Sequence, residues 1–394
     1  MITTFYPPEN FGGDGIFIQR LARALIARGH RVTVIACHDA YAVCGGTAPP
    51  GEPAPGDPEI VRLASAWGPL SPLATQQAGR PLFKRRALEE VLARRFDVVH
   101  FHNISLVGGP GVLALGPPAV TLYTLHEHWL LCPMHVFWKE KRKLCDGKTC
   151  FTCQIRSGRP PQLWRYGSLV RRSLQNVDLM ISPSRFTLEL HRAEGIDRPM
   201  RVIPNFIPDT PTRSAVPERP FFLYAGRLDP SKGPDAMITA ARRLDLEIRI
   251  AGGGPMADEL AEMARGVENV RILGLLTPER AGEEVAAARA LVLPSRCLEV
   301  SPLAAAEAML RGVPVVARRR GGLEELVETS GGGLLFEDDS ELPRLLSRLA
   351  ADAGLAAELG ARGAETARRL WLEQAHLDAY LGQVETLLAA RPVP

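Results

Sequence analysis

The chain has 394 residues, 46% hydrophobic and 23% charged, with a net charge of +3 and its basic and acidic residues interleaved; this is enough for two domains of roughly 150 to 200 residues and does not read as a nucleic-acid-binding surface. Its 36 glycines and 33 prolines fall below a low-complexity composition, so the chain is expected to fold throughout. No basic N-terminal region precedes a long apolar run, no apolar window of about 18 residues occurs, and seven cysteines do not make a secreted disulfide framework, so a cytoplasmic protein with reduced thiols is expected.

Ile2 to Phe5 reads as a first strand clipped short before Tyr6-Pro-Pro, as though the start omitted several residues. Asp14 is placed to cap a helix whose Ile18, Leu21, Ala22 and Leu25 recur at i, i+3, i+4 and i+7. Gly29 stops it and Val32 to Ala36 forms the next strand. The Gly- and Pro-rich stretch Cys44 to Pro58 reads as a mobile excursion. Further strands are expected at Ile60 to Leu63, Val98 to Phe101, Ala119 to Thr124, Leu179 to Ile181 and Arg201 to Ile203. Four prolines and no apolar period between Asn205 and Pro220 mark an interdomain linker. Beyond it, strands at Phe221 to Ala225, Ile248 to Ala251, Val270 to Leu273, Ala290 to Leu293, Val313 to Ala317 and Gly333 to Phe336 alternate with helices. The pattern predicts an α/β chain of two Rossmann-like, doubly wound domains. Residues 1–205 form the first and carry a Cys-containing insertion at 130–165. A linker spans 206–220, the second domain spans 221–370, and a terminal helix at 371–394 is able to pack back on the first. The basic runs at Lys84 to Arg86, Lys139 to Lys143 and Arg318 to Arg320 read as solvated faces.

Gly12-Gly13, His126, Arg227, Gly252-Gly253-Gly254 and Glu299 all fall beyond the carboxyl ends of expected strands. That edge of an open parallel sheet is where ligands bind, so the two domains are expected to face each other across a cleft. After the strand at Leu291 to Leu293, Ser301 reads as an N-cap and Pro302 as the first helical residue, with Glu299 in the turn and Glu307 on the helix. Free helix amides beside two carboxylates suit a phosphorylated, polyhydroxylated ligand, which points to a nucleotide sugar.

Gly12-Gly13 before a helix ending Arg28-Gly-His-Arg-Val, Pro204-Asn205, Tyr224-Ala-Gly-Arg227-Leu-Asp-Pro-Ser-Lys232-Gly, the E-x7-E pair Glu299 and Glu307, Gly-Val-Pro-Val-Val and Gly-Gly-Leu-Glu-Glu occur in order along nearly the whole chain. In these features the sequence resembles the retaining GT-B glycosyltransferases of glycosyltransferase family 4. The resemblance implies a nucleotide-diphosphate sugar bound chiefly by the second domain, and a saccharide or lipid-linked acceptor bound chiefly by the first. It implies metal-independent transfer in polysaccharide or glycoconjugate synthesis. Arg227 and Lys232 would clamp the diphosphate, Glu299 hold the donor sugar, Glu307 take the ribose hydroxyls, and the backbone at Ser301, Pro302 and Leu303 cradle phosphate. Gly12 and Gly13 would let the backbone approach the diphosphate. Gly252 and Gly253 make either a tight turn or a contact with the base. His126 matches the family position near the transferred sugar; a buried, hydrogen-bonded histidine is the other reading, while His100 and His102 read as structural. A 2-epimerase-like isomerase and a catalytically silent scaffold stand as alternatives, and no Gly-x-Gly-x-x-Gly supports a dehydrogenase.

Cys132, Cys145, Cys150 and Cys153 lie within 22 residues, and Cys150-x-x-Cys153 has a metal-site spacing. They read either as a structural zinc site or disulfide-linked insertion, or as four reduced thiols packing a loop that shapes the acceptor site. Trp129, Trp138, Phe151 and Trp164 flank them, as an acceptor surface or as the core of the insertion. Basic residues of the first half suit peripheral contact with the inner face of an anionic membrane.

Overall fold

The computed structural model describes residues 1–47, 54–116, 119–213 and 220–391, so parts of the expected excursion at Cys44 to Pro58 and of the linker lie outside the described residues. The chain divides into two compact units. Unit 1 comprises Met1–His135, Thr149–Ile203 and Leu377–Pro394; unit 2 comprises Val136–Lys148 and Pro204–His376.

The strands in chain order are β1 (Thr33–Cys37), β2 (Glu59–Leu63), β3 (Val98–Phe101), β4 (Val120–Thr124), β5 (Trp138–Lys139), β6 (Lys143–Leu144), β7 (Leu179–Ser182), β8 (Met200–Val202), β9 (Phe221–Ala225), β10 (Glu247–Ala251), β11 (Val270–Gly274), β12 (Ala290–Leu293), β13 (Val315–Arg318) and β14 (Gly333–Phe336). In unit 1, β2 pairs with β1, and β3, β4, β7 and β8 pair in that order, all parallel. The first segment, at Ile2, fills the gap between the two sets. Ile2 bridges both Ile35 and Phe101 in parallel, its N–H donating to His100 O at 2.8 Å while Thr3 N–H donates to Ile35 O at 3.0 Å. With this segment counted first, the order across unit 1 is 3-2-1-4-5-6-7. The core follows from strands covered on both faces, where side chains of either parity must be apolar: Ile35, Val99, Phe101 and Met180 are all buried.

The first helix is Gly13–Ala27, and its cap is Gly12 rather than Asp14. Asp14 instead sits in the first turn, where its charge opposes the positive end of the helix dipole. The terminal helix, Glu373–Ala389, begins in unit 2 and ends in unit 1. Its unit 1 end is held by a hydrogen bond between Tyr380 OH and His100 Nδ1 at 3.2 Å and by an ion pair of Arg391 with Asp178 at 2.7 Å.

Unit 2 is a six-stranded parallel sheet in the order β11-β10-β9-β12-β13-β14, or 3-2-1-4-5-6 counted within the unit. The antiparallel hairpin β5–β6 groups with unit 2, although the sequence reading put the whole 130–165 insertion in the first domain. Leu298 N–H donates to Val136 O at 3.4 Å, so the hairpin touches the loop after β12. Phe137, Glu140 and Lys141 all take positive φ, a concentration of strained backbone in one hairpin.

Candidate functional site

In an open α/β sheet the crevice forms where successive connections leave in opposite directions, beyond the carboxyl ends of the first and fourth strands. In unit 2 those strands are β9 and β12, and the loops after them carry Arg227, Lys232 and Glu299.

The two loops are tied together. Lys232 Nζ lies 2.6 Å from Glu299 Oε1, and Ser295 Oγ donates to the same oxygen at 2.7 Å. Ser231 O accepts from the amides of Arg296 (2.8 Å) and Cys297 (3.1 Å), and Asp229 Oδ1 accepts from the amide and hydroxyl of Ser231. Gly233 makes this crossing sterically feasible: at φ +67° an added Cβ would sit 2.5 Å from Pro294 O. Burial opposes the charge on both members of the pair. For Lys232 the carboxylate of Glu299 outweighs that penalty and the ammonium pKa is raised. For Glu299 burial is likewise the largest influence, yet Lys232 and Ser295 together leave the carboxyl lowered. Both groups are therefore charged at neutral pH, with Lys232 29% and Glu299 17% exposed at the side chain. Arg227 is exposed, and its carbonyl accepts from the buried Tyr224 hydroxyl at 2.6 Å.

The helix bearing Glu307 is Leu303–Leu310 with Pro302 at the N-cap, one residue later than the sequence indicates. Pro302 has no N–H, so any phosphate donors here are the flanking amides. Glu307 is half-buried on the second turn. Arg318, read from sequence as part of a solvated run, is buried and holds the loop: its Nε donates to Pro294 O at 3.3 Å and its guanidinium pairs with Asp339. Arg296 grips Asp235 with two hydrogen bonds, 2.9 and 2.6 Å.

The glycine triplet separates into two roles. An added Cβ at Gly252 would lie 1.8 Å from Gly226 O, and one at Gly254 2.5 Å from Leu228 O, so both are required by the turn itself. An added Cβ at Gly253 would meet nothing nearer than Leu275 at 3.9 Å, so the turn does not require glycine there.

In unit 1 the corresponding crevice lies beyond residues 2–4 and β3. Gly12 and Gly13, both exposed, open the helix Gly13–Ala27 there, and Gly12 supplies no side-chain cap. An added Cβ at Gly12 meets only the Asp14 carboxylate, at 3.0 Å. Asn103, just after β3, donates to Asp14 Oδ2 at 3.2 Å. His126 Nε2 lies 2.9 Å from His102 Nδ1, and the His126 ring packs on Phe17. His102 was assigned no functional part from sequence, yet it touches the one histidine that was. The signal available was its place directly after β3, two residues from His100; the two rings lie 3.9 Å apart.

The cysteine tetrad does not gather into a ligand set. Among the described residues no group of three or more His, Cys, Asp or Glu side chains is placed to hold a metal ion, and none of the seven cysteines is in a disulfide. Cys145 instead directs its thiol to Gly147 O at 3.4 Å. Trp129 is buried in the unit 1 core, and Arg165 lies over it and over Trp164, 4.9 and 4.5 Å from the ring centroids.

Residues 11–210 match the family model described as Glycosyltransferase Family 4, and residues 209–366 that of Glycosyl transferases group 1. The chain is 28% identical to a D-inositol 3-phosphate glycosyltransferase of Streptomyces bingchenggensis, over 92% of this chain and 82% of that protein. It is 32% identical to a GDP-mannose-dependent monoacylated alpha-(1-6)-phosphatidylinositol monomannoside mannosyltransferase of Corynebacterium glutamicum, over 46% of this chain and 52% of that one. In fold it is similar to sucrose-phosphate synthase from Thermosynechococcus elongatus, with a TM-score of 0.75 at 21% identity over 99% of both chains. It is also similar to Anabaena HepE in complex with UDP-glucose, with a TM-score of 0.65 at 17% identity over 99% of both chains.

Proposed function

The chain belongs to glycosyltransferase family 4, and from that premise we propose that it moves a hexosyl unit from a nucleotide-diphosphate sugar to a saccharide or lipid-linked acceptor, retaining the anomeric configuration and using no metal ion. The observation that carries the donor half is the Lys232–Glu299 pair fixed across the switch point of unit 2. As the bond from the anomeric carbon to phosphate breaks, negative charge grows on the diphosphate, and the fixed cation of Lys232 with the exposed guanidinium of Arg227 stabilises it. Both recorded bonds to Glu299 fall on Oε1, which leaves Oε2 for a hydroxyl of the donor sugar. Glu307 takes the ribose hydroxyls, and the amides of Ser301 and Leu303 add to the phosphate cradle.

The acceptor oxygen forms its bond to the anomeric carbon on the face the phosphate leaves, and the acceptor proton passes to the departing phosphate oxygen. His126, hydrogen-bonded to His102, orients a hydroxyl of the sugar or acceptor. Gly12 and Gly13 leave the unit 1 helix N-terminus open to phosphate. The likeness to an inositol 3-phosphate glycosyltransferase and to a phosphatidylinositol monomannoside mannosyltransferase supports a polyol or lipid-linked acceptor. One relative is GDP-mannose-dependent and one structural neighbour holds UDP-glucose, so the base is the variable to test.

Calorimetric titration of the folded chain with UDP, GDP and ADP, repeated on Lys232→Ala and Glu307→Ala, tests this reading. One nucleotide is expected to bind the wild type and to weaken with both substitutions. Absence of binding by all three would remove the proposal, and an inverted anomer in a transferred product, read by NMR, would remove retention.

A further inference from the structure

Unit 1 carries helices whose polarity is reversed. In Leu70–Ala78 the buried residues are Ser71, Pro72 and Thr75, while Leu70 is 57% and Leu73 41% exposed. In Cys150–Arg156 the buried residues are Cys153 and Gln154, while Phe151 is 46% and Ile155 54% exposed. The short 3-10 turn Leu163–Tyr166 buries nothing and exposes both of its end residues. Each apolar pair is spaced three or four residues apart, hence on one side of its helix. A helix facing water places such side chains inward.

These segments adjoin one another. Trp164 Nε1 donates to Gln76 O at 2.8 Å, Gln77 Nε2 to Pro160 O at 3.4 Å, and the Gln162 amide to Gln154 Oε1 at 3.1 Å. Trp67 and Phe83, both exposed, stack at 5.1 Å and extend the same region. Nine of the fifteen exposed large apolar side chains among the described residues fall here, which makes a patch rather than a scatter.

The charge of the same segments is one-sided. Residues 60–88 hold five basic and no acidic residues, and residues 147–177 hold six basic and none acidic, in a chain whose net charge is only +3. Arg80, Arg156, Arg171 and Arg172 are exposed; Arg85 and Arg86 pair with Glu89 and Glu90 of the next turn. Outward aliphatic and aromatic side chains amid arginines match the headgroup layer of an anionic bilayer, where the rings and aliphatics enter the acyl boundary and guanidinium groups meet lipid phosphates. No helix among the described residues is long and apolar enough to cross a membrane, so the contact is with the surface.

We propose that the face built from residues 67–83 and 151–166 of unit 1, with Arg80, Arg156, Arg171 and Arg172, docks the protein on an anionic lipid surface. A protein partner would need a broad acidic face of matching shape; a bilayer needs only area and negative charge. The proposal stands apart from the donor chemistry, because none of these residues is assigned to the nucleotide-sugar donor.

The test is flotation of the full chain with phosphatidylcholine vesicles and with phosphatidylcholine–phosphatidylglycerol vesicles. Binding to the second and not the first is expected, weakening with salt. Arg171→Gln with Arg172→Gln should weaken it roughly thirtyfold, from the contribution of two arginines near a charged surface. Phe151→Ser with Ile155→Ser should abolish it, with circular dichroism unchanged. Arg242→Gln with Arg243→Gln, an equal loss of charge on unit 2, should leave it intact. Failure to float with either vesicle, equal weakening by the unit 2 substitutions, or conversion of a dimer to a monomer by the Phe151/Ile155 change with lipid binding unaltered would each overturn the proposal. Nucleotide titration of the same variants keeps the two readings separate, since donor binding is expected to survive all of them.

Discussion

The two units share the strand order 3-2-1-4-5-6, to which unit 1 adds a seventh strand, but furnish the switch point differently. Unit 2 holds fixed charges there, with Lys232 locked to Glu299 and the loops clamped through Arg296 and Arg318. Unit 1 holds titratable and small groups: an uncapped helix start at Gly12 and the His102–His126 contact. On the function proposed above, the same topology would serve two chemistries. A diphosphate that departs with growing charge needs cations that do not move, because reorganising them would cost free energy at the moment of reaction. A hydroxyl that must be oriented needs a neutral donor or acceptor, which imidazole supplies.

The change expected to disturb this contrast most is Gly252→Ala. Its Cβ at 1.8 Å from Gly226 O and its φ of +144° force apart the loops after β9 and β10, at about 4 kcal/mol or more, which thermal unfolding would show as a large fall in Tm. Next comes His126→Ala, which should lower kcat roughly a hundredfold while nucleotide affinity, proposed above to rest chiefly on unit 2, stays level. A matching loss of affinity would erase the division between the units. His102→Gln should lower kcat by a smaller factor, since it acts through the His126 ring.

Lys232→Met should cost about 2 kcal/mol at neutral pH, less than for a fully buried pair because the side chain is 29% exposed. The sign with pH is fixed. Glu299 is lowered in the folded chain, so its contribution is full above the ordinary glutamate value and is lost as pH falls through the folded value. Lys232 is raised, so its contribution is full below the ordinary lysine value and is lost only as pH rises through the folded value. Denaturant unfolding of wild type and variant should therefore converge on acidification, where the unpaired carboxyl of the variant is relieved by protonation. A gap that widens at acid pH would show that the pair does not stabilise the loops. Smallest is Gly253→Ala, within about 0.5 kcal/mol of wild type in stability. A nucleotide affinity that falls nonetheless would place the base against Gly253.

The strands were legible because parallel strands covered on both faces must be apolar without interruption. Phe221–Ala225, Ala290–Leu293 and Gly333–Phe336 stand where the runs indicate, while β13 begins at Val315 rather than Val313, since the backbone ladder and not hydropathy decides where a strand starts. The placing of Lys232 and Glu299 beyond neighbouring strand ends was legible from their motif positions. The site was not legible where burial decides. Lys84 and Arg318, each at the edge of a basic run, are buried and bonded within the fold, Lys84 to Ser71 Oγ at 2.6 Å. A run of charges says nothing about which of its members points inward.

By itself the sequence determined the alternation of strand and helix, the two-domain division and the charged residues beyond the strand ends, because hydrophobic period and turn residues act over a few positions and are local. Only the tertiary structure decided that Ser295 shares an oxygen of Glu299 with Lys232, that Gly252 and not Gly253 is required by packing, that the β5–β6 hairpin groups with unit 2, and that leucines face outward on Leu70–Ala78. Each depends on which distant backbone passes within a few ångströms, and that follows from closing long loops around a core rather than from any local propensity.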